Sequence, residues 1–241
     1  MQSAIVRRRL LAATTTRNVP ADMPVSSSAA RRADDRDAAL AVSPRSRLWL
    51  EFVNTDAAAR SPGGDLLRDF DALMEWLQAQ GAIDDERGAG LRRRAVLQPA
   101  AAAASLVDAR RVRASLRGLA ERGGGSDRVR EDAVVEINRV LGRSAGTRRL
   151  DRHADGGFMR AFVPTGDAFA GLMIPIVESA ADSLVSGELL RVRRCADSRC
   201  HRVFLDGTKN GLRRWCDMGT CGNRAKAARH RAKGRAQQVR V

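Results

Sequence analysis

Residues 195–224 read CADSRCHRVFLDGTKNGLRRWCDMGTCGNR and contain all four cysteines of the 241-residue chain. The cysteines form two pairs, Cys195-x4-Cys200 and Cys216-x4-Cys221, with fifteen residues between the pairs. Two close pairs separated by the length of one hairpin are typical of a tetrahedral, four-cysteine structural zinc site. The spacing therefore predicts one structural Zn²⁺, held by a loop at each end of a small β-hairpin.

The spacer between the pairs supports this interpretation. It contains the apolar run Val203-Phe204-Leu205, which predicts a short strand, and turn residues at 206–211. Two disulfides, or four free thiols in a basic tail, remain as alternatives. No convincing export signal precedes the segment, and a reducing cytosol favours metal binding over disulfides. A catalytic zinc needs an open coordination position, and four thiolates close the shell although His201 and His230 lie nearby.

The positive charge of the chain is concentrated in the same segment. Residues 191–241 hold 15 basic and 3 acidic side chains, whereas residues 1–190 hold 28 and 25, so most of the net charge of +15 lies in the last fifth. Such a block indicates a polyanionic partner, with nucleic acid first. A helix is predicted from Cys221 onward, with only a thin stripe of Ala225, Ala228 and Ala232 to pack on the metal loops. We expect metal binding to be needed to order it.

The preceding part of the chain is predicted to be mainly helical. Periodicity does not decide whether the apolar run at 48–55 is a strand or a helical turn. Helices are predicted after a cap at Asp65, from about Pro99 to Arg122, after a cap at Ser126, and from about Asp167 with a kink at Pro175. Asp155-Gly156-Gly157 predicts the turn of a β-hairpin between residues 150 and 163.

These elements predict an α+β fold in two parts. A predominantly helical domain with a short β-hairpin (45–190) is followed by a small four-cysteine zinc-binding β-hairpin plus basic helix (191–235). Residues 1–44 and 236–241 are expected to be disordered, and the sequence leaves open whether translation starts at Met1 or Met23. No apolar run approaches the roughly 18 residues that cross a bilayer, so a soluble protein is expected.

Four stretches of the segment resemble the CGNR zinc-finger family: 193–200, Phe204-Leu205-Asp206, Arg213-Arg214-Trp215-Cys216, and 221–226, where the Cys-Gly-Asn-Arg tetrapeptide stands intact. Upstream, Leu50-Glu51-Phe52-Val53-Asn54-Thr55 and the helix around 73–77 are similar to the ABATE domain. The resemblance covers roughly residues 47–235. It implies a bacterial, stress-linked transcription regulator whose finger binds DNA, and the four cysteines match the family's metal ligands by position. The long N-terminal tail is not required by the family pattern.

The leading hypothesis is therefore a zinc-dependent regulator whose basic helix reads duplex DNA. Asn223 and Arg224 are the candidates for base-edge contacts, because Asn pairs with adenine and Arg with guanine in bidentate fashion. Phosphate contacts are assigned to Arg213, Arg214, Lys226, Arg229 and Lys233. A second interpretation of Arg224 is that it donates to the zinc thiolates.

Two other classes of function remain open. RNA or ribosome binding and a protein-interaction adaptor are the alternatives, and an enzyme is not expected, since no nucleophile–base pair, phosphate-binding Gly loop or paired carboxylates are recognisable. RNA readers usually display stacking aromatics, whereas Phe204 and Trp215 are expected to pack on the metal loops. A cytoplasmic, nucleoid-associated location follows from the DNA hypothesis. A homodimer, a small-molecule effector, the DNA target and the sign of regulation are left open.

Overall fold

The computed structural model describes residues 47–56, 64–122, 127–152 and 158–238. The expected disordered tail at 1–44, the cap at Ser126 and the turn at 155–157 lie outside these ranges. The elements in chain order are α1 (Leu48–Val53), α2 (Phe70–Ala79), α3 (Asp85–Leu97), α4 (Pro99–Arg122), α5 (Asp127–Arg143), β1 (Gly146–Arg152), β2 (Phe158–Pro164), α6 (Ile174–Val185), a 3-10 turn (Glu188–Arg191), β3 (Val192–Arg194), β4 (Val203–Leu205), a π-helical turn (Met218–Gly222) and α7 (Asn223–Gln238). Helix α7 thus continues three residues past the predicted boundary at 235.

The apolar run at 48–55 forms a short helix at the centre of the core. In α1, Trp49, Phe52 and Val53 are completely buried. The Trp49 indole N–H donates to Ser183 Oγ at 2.9 Å, which ties α1 to α6 and satisfies the buried indole. Apolar residues of α2, α4 and α6 close the core around α1. Periodicity could not decide the conformation of this run because it is only eight residues long, and the six that form α1 are buried on almost every side.

Two antiparallel strand pairs complete the fold. Strand β1 pairs with β2 from Gly146 opposite Pro164 to Arg152 opposite Phe158. Strand β3 pairs with β4 in the register Val192–Leu205 to Arg194–Val203. The predicted fold class is confirmed: a mostly helical region with a short strand pair precedes a four-cysteine cluster and a helix. Among the described residues, no helix is both long and apolar enough to cross a membrane.

Two local predictions were wrong, and one helix was missed. Helix α2 is capped by Asp69, whose carboxylate accepts from the Ala72 N–H at 2.7 Å, and not by Asp65, which turns inward. Helix α3 was not predicted, because it buries only Gly88 and Leu91 and so shows little apolar periodicity. Helix α6 has Pro175 in its first turn. A proline there needs no hydrogen-bond donor, so the helix begins at this point and is not kinked.

Three arginines of helix α4 donate hydrogen bonds to other parts of the chain. Arg110 donates to the Leu67 carbonyl at 2.7 Å, and Arg113 forms two short bonds, at 2.6 and 2.5 Å, to the Asp65 carboxylate. Arg117 donates to the carbonyls of Val53 and His201, each at 3.0 Å. The first two arginines lock the connection between α1 and α2, and the third reaches into the cysteine-rich segment.

Candidate metal centre and nucleic-acid interface

The four cysteine sulfurs lie together at one end of the β3–β4 hairpin. All four Sγ atoms are within 4.8 Å of one another. The Cys200–Cys216 and Cys216–Cys221 sulfurs are 3.7 and 3.8 Å apart. Sulfurs about 2.3 Å from one tetrahedral Zn²⁺ are about 3.8 Å apart, so this donor set fits a closed zinc shell. The separations exclude disulfide bonds, and all four cysteines are free thiols.

Short hydrogen bonds shape the two cysteine loops. In the first loop, the Cys200 N–H donates to the Asp197 carbonyl at 2.8 Å and the Cys195 N–H to the Arg202 carbonyl at 2.9 Å. In the second, the Asp217 carboxylate accepts from the Thr220 N–H at 2.7 Å and caps the π-helical turn that presents Cys221. The Ala196 N–H donates to the Arg214 carbonyl at 2.8 Å and joins the two loops.

Apolar packing encloses the sulfurs. Cys195, Cys200 and Cys221 are buried in a small cluster with Phe204, against which Trp215 and Cys216 pack. The two aromatic rings therefore pack on the metal loops as expected. His201 lies outside the four-sulfur group, and its Nδ1 is 2.8 Å from Arg194 Nη2. Within the described residues, the metal-binding group consists of the four cysteines alone.

The thiols of this cluster have shifted pKa values. Burial raises the pKa of Cys200 and, more strongly, that of Cys216. Burial also acts to raise the pKa of Cys195. Hydrogen bonds, among them those from the Cys216 and Asp197 backbone, outweigh burial, and the pKa of Cys195 is lowered. A thiol with a raised pKa keeps its proton until a metal ion displaces it, so metal binding at this site releases protons.

The three acidic residues of the segment all hold its loops. Besides Asp197 and Asp217, Asp206 is fully buried and accepts from the Thr208 N–H, the Thr208 hydroxyl and the Arg213 N–H at 3.0, 2.6 and 2.8 Å. Burial opposes ionisation of Asp206, but these donors outweigh it and hold the pKa below its usual value. The segment has 15 basic residues and only these three acidic ones, and each carboxylate stabilises a loop by accepting backbone hydrogen bonds.

The residues predicted to contact DNA differ in their local contacts. Lys226 and Arg229 are exposed on α7, and Arg229 Nε donates to the Ala225 carbonyl at 3.5 Å, whereas the side chain of Lys233 lies outside the described residues. The other four also make local contacts. Arg213 lies over the Phe204 ring and donates to the Trp215 carbonyl at 2.9 Å, and Arg214 lies over the Trp215 ring. Asn223 donates to the Gly219 carbonyl at 3.0 Å, and Arg224 donates to the Cys221 sulfur at 3.1 Å. Of the predicted alanine stripe, Ala228 and Ala232 are exposed, so the part of α7 whose side chains are described, up to residue 232, packs only at its start.

The contacts that hold the finger against the helical region were not predicted. The Asn54 amide donates to the Val203 carbonyl at 2.9 Å and accepts from the Val203 N–H at 3.0 Å, and both residues are buried. Glu51 pairs with Arg202 at 3.1 Å, and Val203 and Leu205 belong to the main core. Glu51 and Asn54 both belong to the run 50–55 that carries the ABATE resemblance. Their role could not be predicted from sequence, because their partners lie about 150 positions away.

Comparison with family models agrees with this architecture. Residues 46–187 match the ABATE family, described as "Putative stress-induced transcription regulator", and residues 191–234 match the CGNR zinc finger. Both are regulator or zinc-finger types and not enzymes, and a CGNR finger with four clustered cysteines carries one structural zinc. A search of curated proteins gives no match. Since the first model covers more than half of the residues, the chain belongs to the ABATE family and continues into a CGNR zinc finger.

Proposed function

We propose that this protein is a zinc-dependent, DNA-binding transcription regulator whose helix α7 lies against duplex DNA. The observation that carries the proposal is the helix itself. Its 16 residues, NRAKAARHRAKGRAQQ, contain six basic side chains and no acidic one. Lys226, Arg229 and Arg231 are all exposed, and the helix is about 24 Å long. A cationic rod of this length fits along the phosphates that border a major groove.

The metal has a structural role in this proposal. We assign Cys195, Cys200, Cys216 and Cys221 as the four ligands of one Zn²⁺, which would cross-link the two loops. The sequence of helix α7 offers no broad apolar face for packing. Its basic side chains have no acidic partners on the helix, so α7 is expected to be unstable as an isolated helix. Fixing Cys221 therefore fixes the first turn of α7 and the direction in which its cations point.

The aromatic residues favour duplex DNA over single-stranded RNA. Phe204 and Trp215 pack against the cysteines, and each ring carries an arginine, at 4.9 and 5.3 Å from the ring centroid. Rings covered in this way are not free to stack on splayed RNA bases. We assign Lys226, Arg229 and Lys233 to phosphates, and Asn223, which uses one amide hydrogen locally, keeps its oxygen and second hydrogen for a base.

The proposal places the protein at the nucleoid in the cytoplasm, without enzymatic activity. Four free thiols fit a reducing compartment, in which a thiolate zinc site persists. The helical region then positions the finger and regulates it.

Salt titration of DNA binding tests the proposal. The zinc-loaded full chain is compared with Lys226→Gln, Arg229→Gln and the matched control Arg68→Gln, an exposed arginine of the helical region. Each α7 variant is expected to reduce the slope of log K against log salt by about 0.9, while the control leaves it unchanged. The measurement is fluorescence anisotropy on random duplexes.

Selection from mixed pools separates the rival functions. Random duplex DNA and random RNA are offered to the same protein at physiological salt. Enrichment of a duplex motif supports the proposal. Enrichment of RNA alone, or equal slopes for the α7 variants and Arg68→Gln, would contradict it, and enrichment of neither pool would favour the adaptor.

A further inference from the structure

We infer that Arg224 is a positioning residue of the metal centre, which braces the two cysteine loops against each other, and that it does not read bases. Its guanidinium contacts one group from each loop. Nη2 donates to Cys221 Sγ at 3.1 Å, and Nε lies 3.0 Å from Asp197 Oδ2. The second contact is an ion pair whose angle does not make a hydrogen bond. The DNA half of this inference rests on the proposed function; the metal half stands without it.

Asp197 is fixed on the first loop. Its side chain is only 8% exposed, its Oδ1 accepts from the Arg199 N–H at 3.1 Å, and its carbonyl accepts from the Cys200 N–H. Arg224 follows the last cysteine by three residues and stands on the first turn of α7. The pair therefore connects two cysteine loops whose sequence positions differ by more than twenty residues.

The charges explain why the brace is needed. Four thiolates around Zn²⁺ carry a formal charge of −2, and the buried Asp197 carboxylate adds a further negative charge beside them. Arg224 touches both a thiolate and the carboxylate, so it compensates both at once. A hydrogen bond to a ligand sulfur also withdraws electron density from it, which makes the sulfur a weaker nucleophile and a steadier ligand.

The same contacts compete with base reading. Bidentate recognition of guanine needs the guanidinium fork to be free. Here Nη2 and Nε are engaged, and only 40% of the side chain is exposed. Turning the group outward to DNA would remove the closest cation from Asp197 and leave it facing the thiolates with only the longer contact to Arg199 Nε, at 3.9 Å. Partly breaking a buried ion pair in this way is costly.

Zinc competition on the full chain tests the metal half. Arg224→Ala, Arg224→Lys, Asp197→Asn and the double variant are titrated against a chromophoric chelator. The matched control is Arg229→Ala, one turn further along α7 and exposed. We expect Arg224→Ala to lower zinc affinity about 10–100-fold, Arg224→Lys to lower it less, and the control to leave it unchanged. Since Asp197 is the partner, the loss caused by Arg224→Ala is expected to shrink in the Asp197→Asn background.

Two further measurements distinguish positioning from general stability. Zinc release after alkylation with iodoacetamide is expected to be faster in Arg224→Ala than in the control. The sulfur-to-cobalt charge-transfer band of the Co²⁺-substituted protein is expected to shift. Should Arg224→Ala not fold, Arg224→Lys and Asp197→Asn carry the same comparison. Unchanged zinc affinity and release in these variants would overturn the inference.

Base preference at saturating zinc tests the DNA half. Arg224→Ala is expected to keep the wild-type motif and to lose no more affinity than Arg229→Ala. A changed motif with unchanged zinc affinity would overturn the inference while leaving the proposed function intact. If the wild type binds no duplex, the proposed function fails, and the zinc measurements still decide the role of Arg224.

Discussion

Asn54 offers the sharpest test of how the helical region holds the finger. Its amide makes both hydrogen bonds to the Val203 backbone, at 2.9 and 3.0 Å, across 149 positions of sequence. Asn54 is 2% exposed and Val203 is 1% exposed, so water does not reach either group. The substitution Asn54→Ala removes both bonds and leaves a backbone N–H and a carbonyl without these partners in the core.

The expected loss follows from those two groups. An unsatisfied buried donor or acceptor costs about 1–3 kcal/mol, so the loss of both partners is expected to lower the free energy of unfolding by about 2–6 kcal/mol. In a chain of this size, 1 kcal/mol shifts the melting temperature by about 2–4 °C, which predicts a decrease of about 4–24 °C. The metal centre is expected to respond as well, since the Arg202 carbonyl that accepts from Cys195 directly precedes Val203.

The assay is thermal unfolding of the zinc-loaded full chain, followed by chelator competition for zinc. Asn223→Ala is the matched control, because this asparagine is exposed and makes one local bond to the Gly219 carbonyl. Its effect on stability is expected to stay below about 1 kcal/mol. A similarly small loss of stability in Asn54→Ala would refute the role of Asn54 in holding the finger against the helical region. A full loss of stability with unchanged zinc affinity would refute the coupling between docking and metal binding.

Two further substitutions test the helical region. The hydrogen bond from Arg113 holds the pKa of Asp65 below its usual value, so the stability it contributes is present above about pH 4 and is lost as the pH falls through the lowered value. Asp65→Asn should therefore be less stable than wild type at pH 7, with a gap in urea midpoint that narrows toward pH 3; a constant gap would contradict this. Gly171→Ala should lose about 1–3 kcal/mol in the same assay, because Gly171 has φ of +76° and a Cβ would collide with the Phe162 ring. Gly142→Ala, where a Cβ meets no atom within 4 Å, should not be destabilised, and equal losses for both glycines would refute the argument.

The parts of the fold that sequence could predict are those with short-range causes. Helix α4 was predicted at its observed bounds, because an alanine-rich stretch has high helix propensity and glycines follow it. The cysteine spacing predicted the cluster because both loops are closed by neighbours in sequence. The weakly apolar α3 has no such local cause, and its helix depends on tertiary packing around Leu91.

The chemistry of the site was harder to predict for the same reason. Arg224 follows a zinc ligand in a basic helix, and by sequence alone base reading and a contact to the thiolates were both open. Asp197, which decides between them in space, lies in the other loop. Asn54 could be noticed only as part of the run 50–55, and its partner became visible only in the folded chain. Short-range patterns thus locate a centre, while long-range pairing determines what each side chain does there.

The contacts between the helical region and the finger indicate that the finger does not fold as an independent module. A four-cysteine loop with a basic helix suggests a module that metal alone could fold. Yet Val203 and Leu205 are buried in the main core, and the Arg117 guanidinium binds a carbonyl from each part. Excising residues 191–241 would expose those side chains and remove both Asn54 bonds. Zinc binding and folding of the helical region therefore favour the same state of the chain. A perturbation that loosens α1 is expected to weaken the contacts that hold the finger without touching a cysteine.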